Sequence, residues 1–319
     1  MKTLIITALY SNLWNTEFGG KSHVAEIYKN SLLNILNLNP TKLICFTSEE
    51  EIENLNDFFF ERNNISREKL EFRPFDLTNS KYFKKLNKKK DLELSRTSET
   101  CFEIQYNKFY WIDELIEIFD YDKVYWIDAD LSNAGIIPQE FALGEGFERN
   151  FRFNIFNEKL LQKLNTHADE KLLIFGKNNE SIFHKYTTLP VKYYNSYDKK
   201  TYIICKLFGG SPNIFKKVIK KFDDVLVNLL ISEEGLFHEE QILTNIFYNN
   251  NDLFDLIEFD EIFINHEKFD ENTKYLFQTL LVDSLLVENN EMEINEVVDE
   301  FELKVTKIIE KYLLEKKLI

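Results

Sequence analysis

The chain has 319 residues, of which 44% are hydrophobic and 29% charged, and its formal net charge is −15. This composition supports one large core or two modest ones, and the negative charge argues against a broad nucleic-acid-binding surface. Cys45, Cys101 and Cys205 are too few and too widely spaced for a disulfide framework, so a reducing, cytoplasmic compartment is expected.

The first half of the chain alternates apolar runs with helically spaced segments. This alternation predicts βαβ units and a parallel sheet, with an irregular, lysine-rich excursion over Asp76–Thr100. The opening run is interpreted as a strand because no signal-peptide cleavage site follows it, and no run has the roughly 18–20 apolar residues of a transmembrane helix. The predicted strands are Lys2–Leu9, Lys42–Thr47 and Leu70–Phe75, and the predicted helices are His23–Leu36, Glu49–Glu61 and Phe102–Phe119.

The second half opens with DKVYWIDAD, which predicts a central strand. Further strands and helices follow before a tail whose apolar residues form one helical stripe. The strands are expected at Leu172–Gly176, Thr201–Gly210 and within Ile257–His266, and the helices at Ile214–Ile231 and His238–Tyr248. We therefore expect an α/β domain over residues 1–270 and a helical C-terminal extension over 271–319.

The central strand ends in two aspartates, Asp128 and Asp130. Ligands of open α/β sheets bind beyond the carboxyl ends of the strands, and hard oxygen ligands without His or Cys beside them suit Mg²⁺ or Mn²⁺ held together with substrate phosphates. A cation would also relieve the repulsion between the two carboxylates, roughly 1–4 kcal/mol at effective dielectric constants of 80 to 20. The plainer interpretation is a pair of solvated turn aspartates.

Three other phosphate-handling classes fit the sequence poorly. Haloacid-dehalogenase-type phosphatases need Thr or Val where Ser132 stands, and their Gly-Asp motif is missing from the chain. The segment Phe18–Ser22, FGGKS, ends like a P-loop, but Asn15 occupies the position of its first glycine. A nucleotidyltransferase would carry a glycine-rich, basic loop after the first strand, where this chain has ALYSNLWNT.

Several segments around the aspartates suit contact with a nucleotide. The first strand ends in Thr7, Ala8 and Tyr10, and Lys108 lies on the helix before the aspartate strand. A later strand ends in glycines, which let the backbone approach a ligand closely. The candidate nucleotide-binding residues from these segments are Thr7, Ala8, Tyr10, Lys108, Asp128, Gly209, Gly210 and Ser211.

The combination of NKFYWIDELIEIF, DKVYWIDADLS, LFGGS and HEEQ resembles the bacterial HtrL/WlaTC-type family of GT-A glycosyltransferases, over roughly residues 1–270. The resemblance implies a GT-A fold with a Rossmann-like mixed sheet. It also implies transfer of a hexose from a nucleoside-diphosphate sugar, with UDP-hexose favoured, to an oligosaccharide or lipid-linked glycan of the bacterial surface. Mn²⁺ or Mg²⁺ would be the cofactor, and the site of action would be the cytoplasm, with peripheral contact at the inner face of the membrane.

The resemblance also assigns metal ligands. Asp128 and Asp130 would hold the ion with His266, in INHEKF, as third ligand, and Lys268 would neutralise the departing diphosphate. The plainer interpretations are a surface histidine and a solvated lysine.

Glu239 and Glu240, in HEEQ, are the catalytic candidates. An inverting transferase needs a general base for the acceptor hydroxyl, although the helix dipole alone also favours carboxylates at a helix start. A non-enzymatic alternative is a degenerate GT-A domain that binds a sugar nucleotide or a partner. In that alternative, the tail over 271–319 would contact the partner. In the binding module and in the transferase alike, the tail could instead join copies of the chain.

Overall fold

The structure is a computed structural model that describes residues 1–10, 21–80, 99–129, 158–167, 170–178, 201–231 and 239–259. Within these residues a seven-stranded sheet carries helices on both faces. The strands are β1 (Thr3–Ala8), β2 (Lys42–Thr47), β3 (Leu70–Pro74), β4 (Lys123–Ile127), β5 (Leu172–Asn178), β6 (Thr201–Gly210) and β7 (Phe254–Phe259). The α-helices are α1 (Lys21–Leu36), α2 (Ile52–Asn56), α3 (Glu99–Ile118), α4 (Glu158–His167), α5 (Pro212–Ile231) and α6 (Glu239–Asn249).

The strands are ordered β3-β2-β1-β4-β6-β5-β7. The neighbours from β3 to β4 pair in parallel, β6 runs antiparallel to both β4 and β5, and β5 and β7 are parallel. The predicted α/β class with a Rossmann-like mixed sheet is confirmed. The predicted helical extension over 271–319 lies outside the described residues.

Two cores lie on opposite faces of the sheet, because successive strand side chains point to opposite faces. Ile6 and Trp126 pack under α3, α5 and α6, whereas Ile5 and Tyr125 pack under α1, α2 and α4. Strands buried on both faces are continuously apolar, which is why the apolar runs of the sequence predict their positions. None of the helices in the described part of the chain combines the length and apolar character needed to cross a bilayer.

Besides shifts at the ends of other elements, such as the start of α3 at Glu99 instead of Phe102, the structure departs from the predicted elements at three places. The helix expected over Glu49–Glu61 consists of a 3₁₀ turn, α2 and a π-helix at Asp57–Arg62, where three consecutive phenylalanines all pack against one core. Helix α4 was not predicted; among its described side chains, Leu161 and Leu164 belong to the core cluster. Strand β7 begins at Phe254, three residues earlier than expected.

Candidate functional site

Asp128 lies at the point where the order of the sheet reverses. From β1 the chain runs outward to β2 and β3 and then returns to β4 on the other side of β1. Ile6 of β1 is level with Trp126 of β4, so Ala8 is level with Asp128 two residues further on. Ligands of open α/β sheets bind in the crevice at such a switch point, and Asp128 is at its edge.

Lys108 forms ion pairs with both Asp128 and Glu239, the first residue of α6. Its Nζ lies 2.8 Å from Asp128 Oδ1, 2.8 Å from Glu239 Oε1 and 3.2 Å from the carbonyl oxygen of Cys205. Three acceptors thus match the three donors of an ammonium group, and the lysine side chain is only 4% exposed. The predicted contact of Lys108 with a nucleotide is therefore not what the geometry favours, since its donors are engaged inside the protein.

Glu239, the first residue of α6, is buried, with a side chain 5% exposed. Its Oε1 accepts from Lys108, whereas its Oε2 is buried and has no hydrogen-bond partner in the part of the chain that is described. Thr244 holds α6 on the sheet, because its hydroxyl accepts from the Ile203 amide and donates to the Glu240 carbonyl. Glu240 itself is half-buried.

Sequence reasoning missed Trp126, which lies on the same face of β4 as Asp128. Its Nε1 donates to Asp128 Oδ1 at 2.6 Å, and the Lys108 ammonium lies 5.4 Å from its ring centroid. Only the i, i+2 spacing of these residues on a predicted strand could have indicated the contact. The Cys205 carbonyl was also missed, and a backbone acceptor leaves no signal in the sequence.

The charges of the site depend on one another. Burial disfavours the charged form of Lys108, but the carboxylates of Asp128 and Glu239 outweigh burial and raise the pKa of Lys108 well above its ordinary value of 10.5. Burial also raises the pKa of Glu239 above 4.5; the Lys108 cation opposes that shift and Glu240 adds to it. With all three groups ionised, Lys108, Asp128 and Glu239 together carry one negative charge.

The residues at the end of β1 have different surroundings. Thr7 is fully buried on the face opposite Asp128, and its hydroxyl has no hydrogen-bond partner within the described ranges. Ala8, level with Asp128, is half-buried. Tyr10 is buried, stacks on Trp111 and donates to the Phe75 carbonyl, and burial raises the pKa of its phenol. Of this group, Ala8 is the residue placed at the crevice.

The structure does not bring Gly209, Gly210 and Ser211 to Asp128. Because β6 is antiparallel, Gly209 and Gly210 pair with Tyr125 and Val124 near the start of β4, at the opposite edge of the sheet. A Cβ on Gly209 would lie 2.0 Å from Tyr125 Cδ1, and one on Gly210 would lie 2.7 Å from Ile214 Cγ2. These glycines thus accommodate neighbouring side chains.

The other end of β6 approaches the site. The Asp128 amide donates to the Lys206 carbonyl at 2.8 Å. Nearby, the pairing of β6 with β5 shifts between Leu173↔Gly209 and Phe175↔Ile204, so β6 is bulged over residues 205–208. Bulges of this kind are common next to active sites, where they redirect groups, and here the bulge contains the Cys205 carbonyl that accepts from Lys108.

Of the predicted metal ligands, only Asp128 is described; Asp130 and His266 lie outside the described residues, as does Lys268. The Asp128 side chain is 24% exposed and offers the hard oxygen chemistry that suits Mg²⁺ or Mn²⁺, so it fits the predicted cation. Among the described residues, no group of three or more His, Cys, Asp or Glu side chains is placed to hold a metal ion.

No protein-family model matches the chain, and no curated protein matches it. Among solved structures, it is similar to the galactosyltransferase LgtC in complex with donor and acceptor sugar analogs, at 11% identity over 81% of this chain and 73% of that chain, with a TM-score of 0.47. It is also similar to mouse xyloside xylosyltransferase 1, at 9% identity over 81% and 85%, with a TM-score of 0.41. A third is CMP:2-keto-3-deoxy-manno-octonic acid synthetase complexed with CTP, at 8% identity over 82% and 90%, with a TM-score of 0.39. With TM-scores below 0.5, these similarities assign no activity to the chain.

Proposed function

We propose that the chain is a metal-dependent glycosyltransferase that moves a hexose from a nucleoside-diphosphate sugar to a glycan acceptor. One observation carries the proposal. Asp128, at the switch point of the sheet, and Glu239, at the head of α6, were assigned to the site from separate motifs, and both contact the ammonium of Lys108. The carboxylate predicted to bind the metal, Asp128, and the carboxylate predicted to be catalytic, Glu239, are thus neighbours.

Asp128 would hold the cation together with Asp130 and His266, whose positions are not described. The bound cation would supply positive charge to the diphosphate as it leaves. Ala8 would face the nucleotide across the crevice, and Lys268 would add a further positive charge at the diphosphate.

Glu239 or Glu240 would take the proton of the acceptor hydroxyl if the reaction inverts the sugar. Lys108 holds one oxygen of Glu239, and burial raises the pKa of that carboxyl toward the range in which a general base works best. In a retaining enzyme the same carboxylate would position the acceptor.

The finer details stand on the sequence resemblance. UDP-hexose as donor, membership of the HtrL/WlaTC-type family and a bacterial surface glycan as acceptor are part of the proposal. So are action in the cytoplasm at the inner face of the membrane and self-association through residues 271–319.

The test is a panel of sugar nucleotides, measured first by thermal shift with and without Mn²⁺ and then by release of free nucleoside diphosphate without acceptor. We expect one sugar nucleotide to stabilise the protein in a cation-dependent way and to be hydrolysed slowly. Asp128→Asn should abolish both effects, whereas Asp122→Asn, at an exposed aspartate that accepts from the Lys2 amide, should abolish neither.

Other outcomes would replace the proposal. Cation-dependent binding without hydrolysis, and without transfer to any glycan supplied, would favour the degenerate binding module. Consumption of a nucleoside triphosphate with a sugar phosphate would identify a nucleotidyltransferase. Absence of any stabilisation by sugar nucleotides would contradict both the transferase and the binding module.

A further inference from the structure

We propose that Lys108 acts as a built-in counter-cation at the metal site, so that the site binds a free divalent cation weakly and accepts it together with a diphosphate. The diphosphate half of this proposal rests on the proposed function, whereas its metal half rests on the contacts of Asp128, which is the one predicted metal ligand among the described residues.

The geometry places Lys108 where a shared cation would lie. Asp128 Oδ1 and Glu239 Oε1 are each 2.8 Å from Nζ, so these two oxygens are at most about 5.6 Å apart, close enough to share one cation. The ammonium fills that role, and burial together with its third contact, to the Cys205 carbonyl, holds it in place. A second cation bound to Asp128 would therefore share a carboxylate with Lys108.

The electrostatic consequence follows from the low effective dielectric of a buried site. At an effective dielectric constant of about 20, repulsion between a divalent ion and an ammonium that share one carboxylate is large enough to weaken binding by more than about tenfold. A diphosphate adds negative charge beside the ion and offsets this repulsion. The cation and the nucleotide would then bind cooperatively, each raising the affinity for the other by the same factor.

The test compares two variants that differ only in the ammonium. Removing Lys108 alone would leave two carboxylates unbalanced in a buried site, so both variants carry Glu239→Gln, and one also carries Lys108→Met, which keeps the length and apolar character of the stem. We expect the double variant to bind Mn²⁺ alone at least about tenfold more tightly than Glu239→Gln, as measured by loss of the electron paramagnetic resonance signal of free Mn²⁺. The factor by which UDP raises Mn²⁺ affinity should fall correspondingly.

Lys123→Met in the same Glu239→Gln background is the matched control, because Lys123 is another buried lysine, at the start of β4. It should leave Mn²⁺ affinity unchanged. Near-ultraviolet circular dichroism checks the fold, and Lys108→Gln replaces Lys108→Met if the methionine variant does not fold.

Equal or weaker Mn²⁺ binding after loss of the ammonium would overturn the inference and leave Lys108 as a residue that only positions Asp128. No detectable Mn²⁺ binding by any folded variant would overturn it too. The Mn²⁺ measurements need no nucleotide, so a failure of UDP to bind would contradict the proposed function and leave the metal comparison interpretable.

Discussion

Trp126 and Asp128 are two residues apart on the same face of β4, and the indole Nε1 donates to Asp128 Oδ1 at 2.6 Å. Lys108 reaches the same oxygen from α3 at 2.8 Å. Two donors from different elements thus fix the orientation of this carboxylate at the carboxyl edge of the sheet.

Replacing Trp126 with Phe should weaken Mn²⁺-dependent binding of a sugar nucleotide several-fold and lower the free energy of unfolding. The substitution removes the N–H donor, and a hydrogen bond to a charged group contributes about 1.5–3 kcal/mol. Trp111→Phe is the matched control, because Trp111 is equally buried and its Nε1 has no hydrogen-bond partner among the described residues. Calorimetric titration of both variants measures the ligand affinity, and urea unfolding measures the free energy of unfolding. Equal losses of ligand affinity would show that ring volume, not the N–H, is what matters.

Replacing Asp128 with Asn should lower the free energy of unfolding by about 1–3 kcal/mol, the cost of leaving a buried group without its partner, as well as abolish cation-dependent nucleotide binding. The sequence alone indicated the opposite for stability, because it showed only two like charges. The structure shows that Asp128 is a counter-ion of buried Lys108, and removal of one partner from a buried ion pair is costly; Glu239 retains part of the pairing. Urea unfolding at neutral pH measures the change. An increase in stability would indicate that repulsion between Asp128 and Asp130 outweighs the pairing of Asp128 with Lys108.

Substitutions of the two glutamates at the start of α6 should have different effects on the transfer reaction. Glu239→Gln should keep donor binding and reduce transfer by about 10²–10⁴-fold, the range for loss of a general base. Glu240→Gln should have the smaller effect, because Glu239 is the residue tied to Asp128 through Lys108. Initial transfer rates at saturating donor and acceptor decide the matter. Near-normal rates in both variants would remove this helix start from the chemistry.

Gly209→Ala should lower the free energy of unfolding by about 1–3 kcal/mol, typical of overpacking, without changing nucleotide affinity. The added Cβ would lie 2.0 Å from Tyr125 Cδ1, at the edge of the sheet opposite Asp128. Thermal unfolding and titration at a temperature where the variant is folded separate the two effects. Adding Tyr125→Leu should recover part of the loss, a coupling expected of residues in contact. Loss of nucleotide affinity in the folded variant would restore the predicted ligand role of this strand end.

Cys45→Ala should make stability less sensitive to alkaline pH. Burial raises the pKa of the Cys45 thiol above its ordinary value of 9.0, and nearby Glu51 adds to the shift. Above pH 9 the unfolded chain therefore loses this proton while the folded chain keeps it, and the free energy of unfolding falls by about 1.4 kcal/mol per pH unit for each such thiol. Urea unfolding from pH 8 to 11 should show a slope shallower by that amount in Cys45→Ala, with Cys205 unchanged in both proteins. Identical slopes would contradict the prediction.

The sheet could be predicted from the sequence where burial alone determines the pattern. Strands β2 and β6 have the predicted bounds, Lys42–Thr47 and Thr201–Gly210, because strands covered on both faces are continuous apolar runs. The direction of β6 could not be predicted, since a buried antiparallel strand has the same composition as a parallel one. That missing direction is why Gly209 and Gly210 were expected at the ligand edge.

The chemistry of the candidate site could be predicted only in part. Asp128 and Glu239 were found by residue type and position, at a strand end and a helix start. The inward orientation of Lys108 could not be found, because α3 is apolar over much of its surface and packing against α5 and α6 decides which side chains face the sheet. The π-helix at Asp57–Arg62 likewise depends on how three adjacent phenylalanines fit one core.

The contact between Lys108 and Glu239 joins residues 131 positions apart. At synthesis rates of 5–20 residues per second, Glu239 is added roughly 7 to 26 s after Lys108. During that interval Asp128 is the carboxylate of the site that has already been made, and Glu239 is still missing. The arrangement of charges around Lys108 is therefore complete only after α6, the last α-helix of the described chain, has been made.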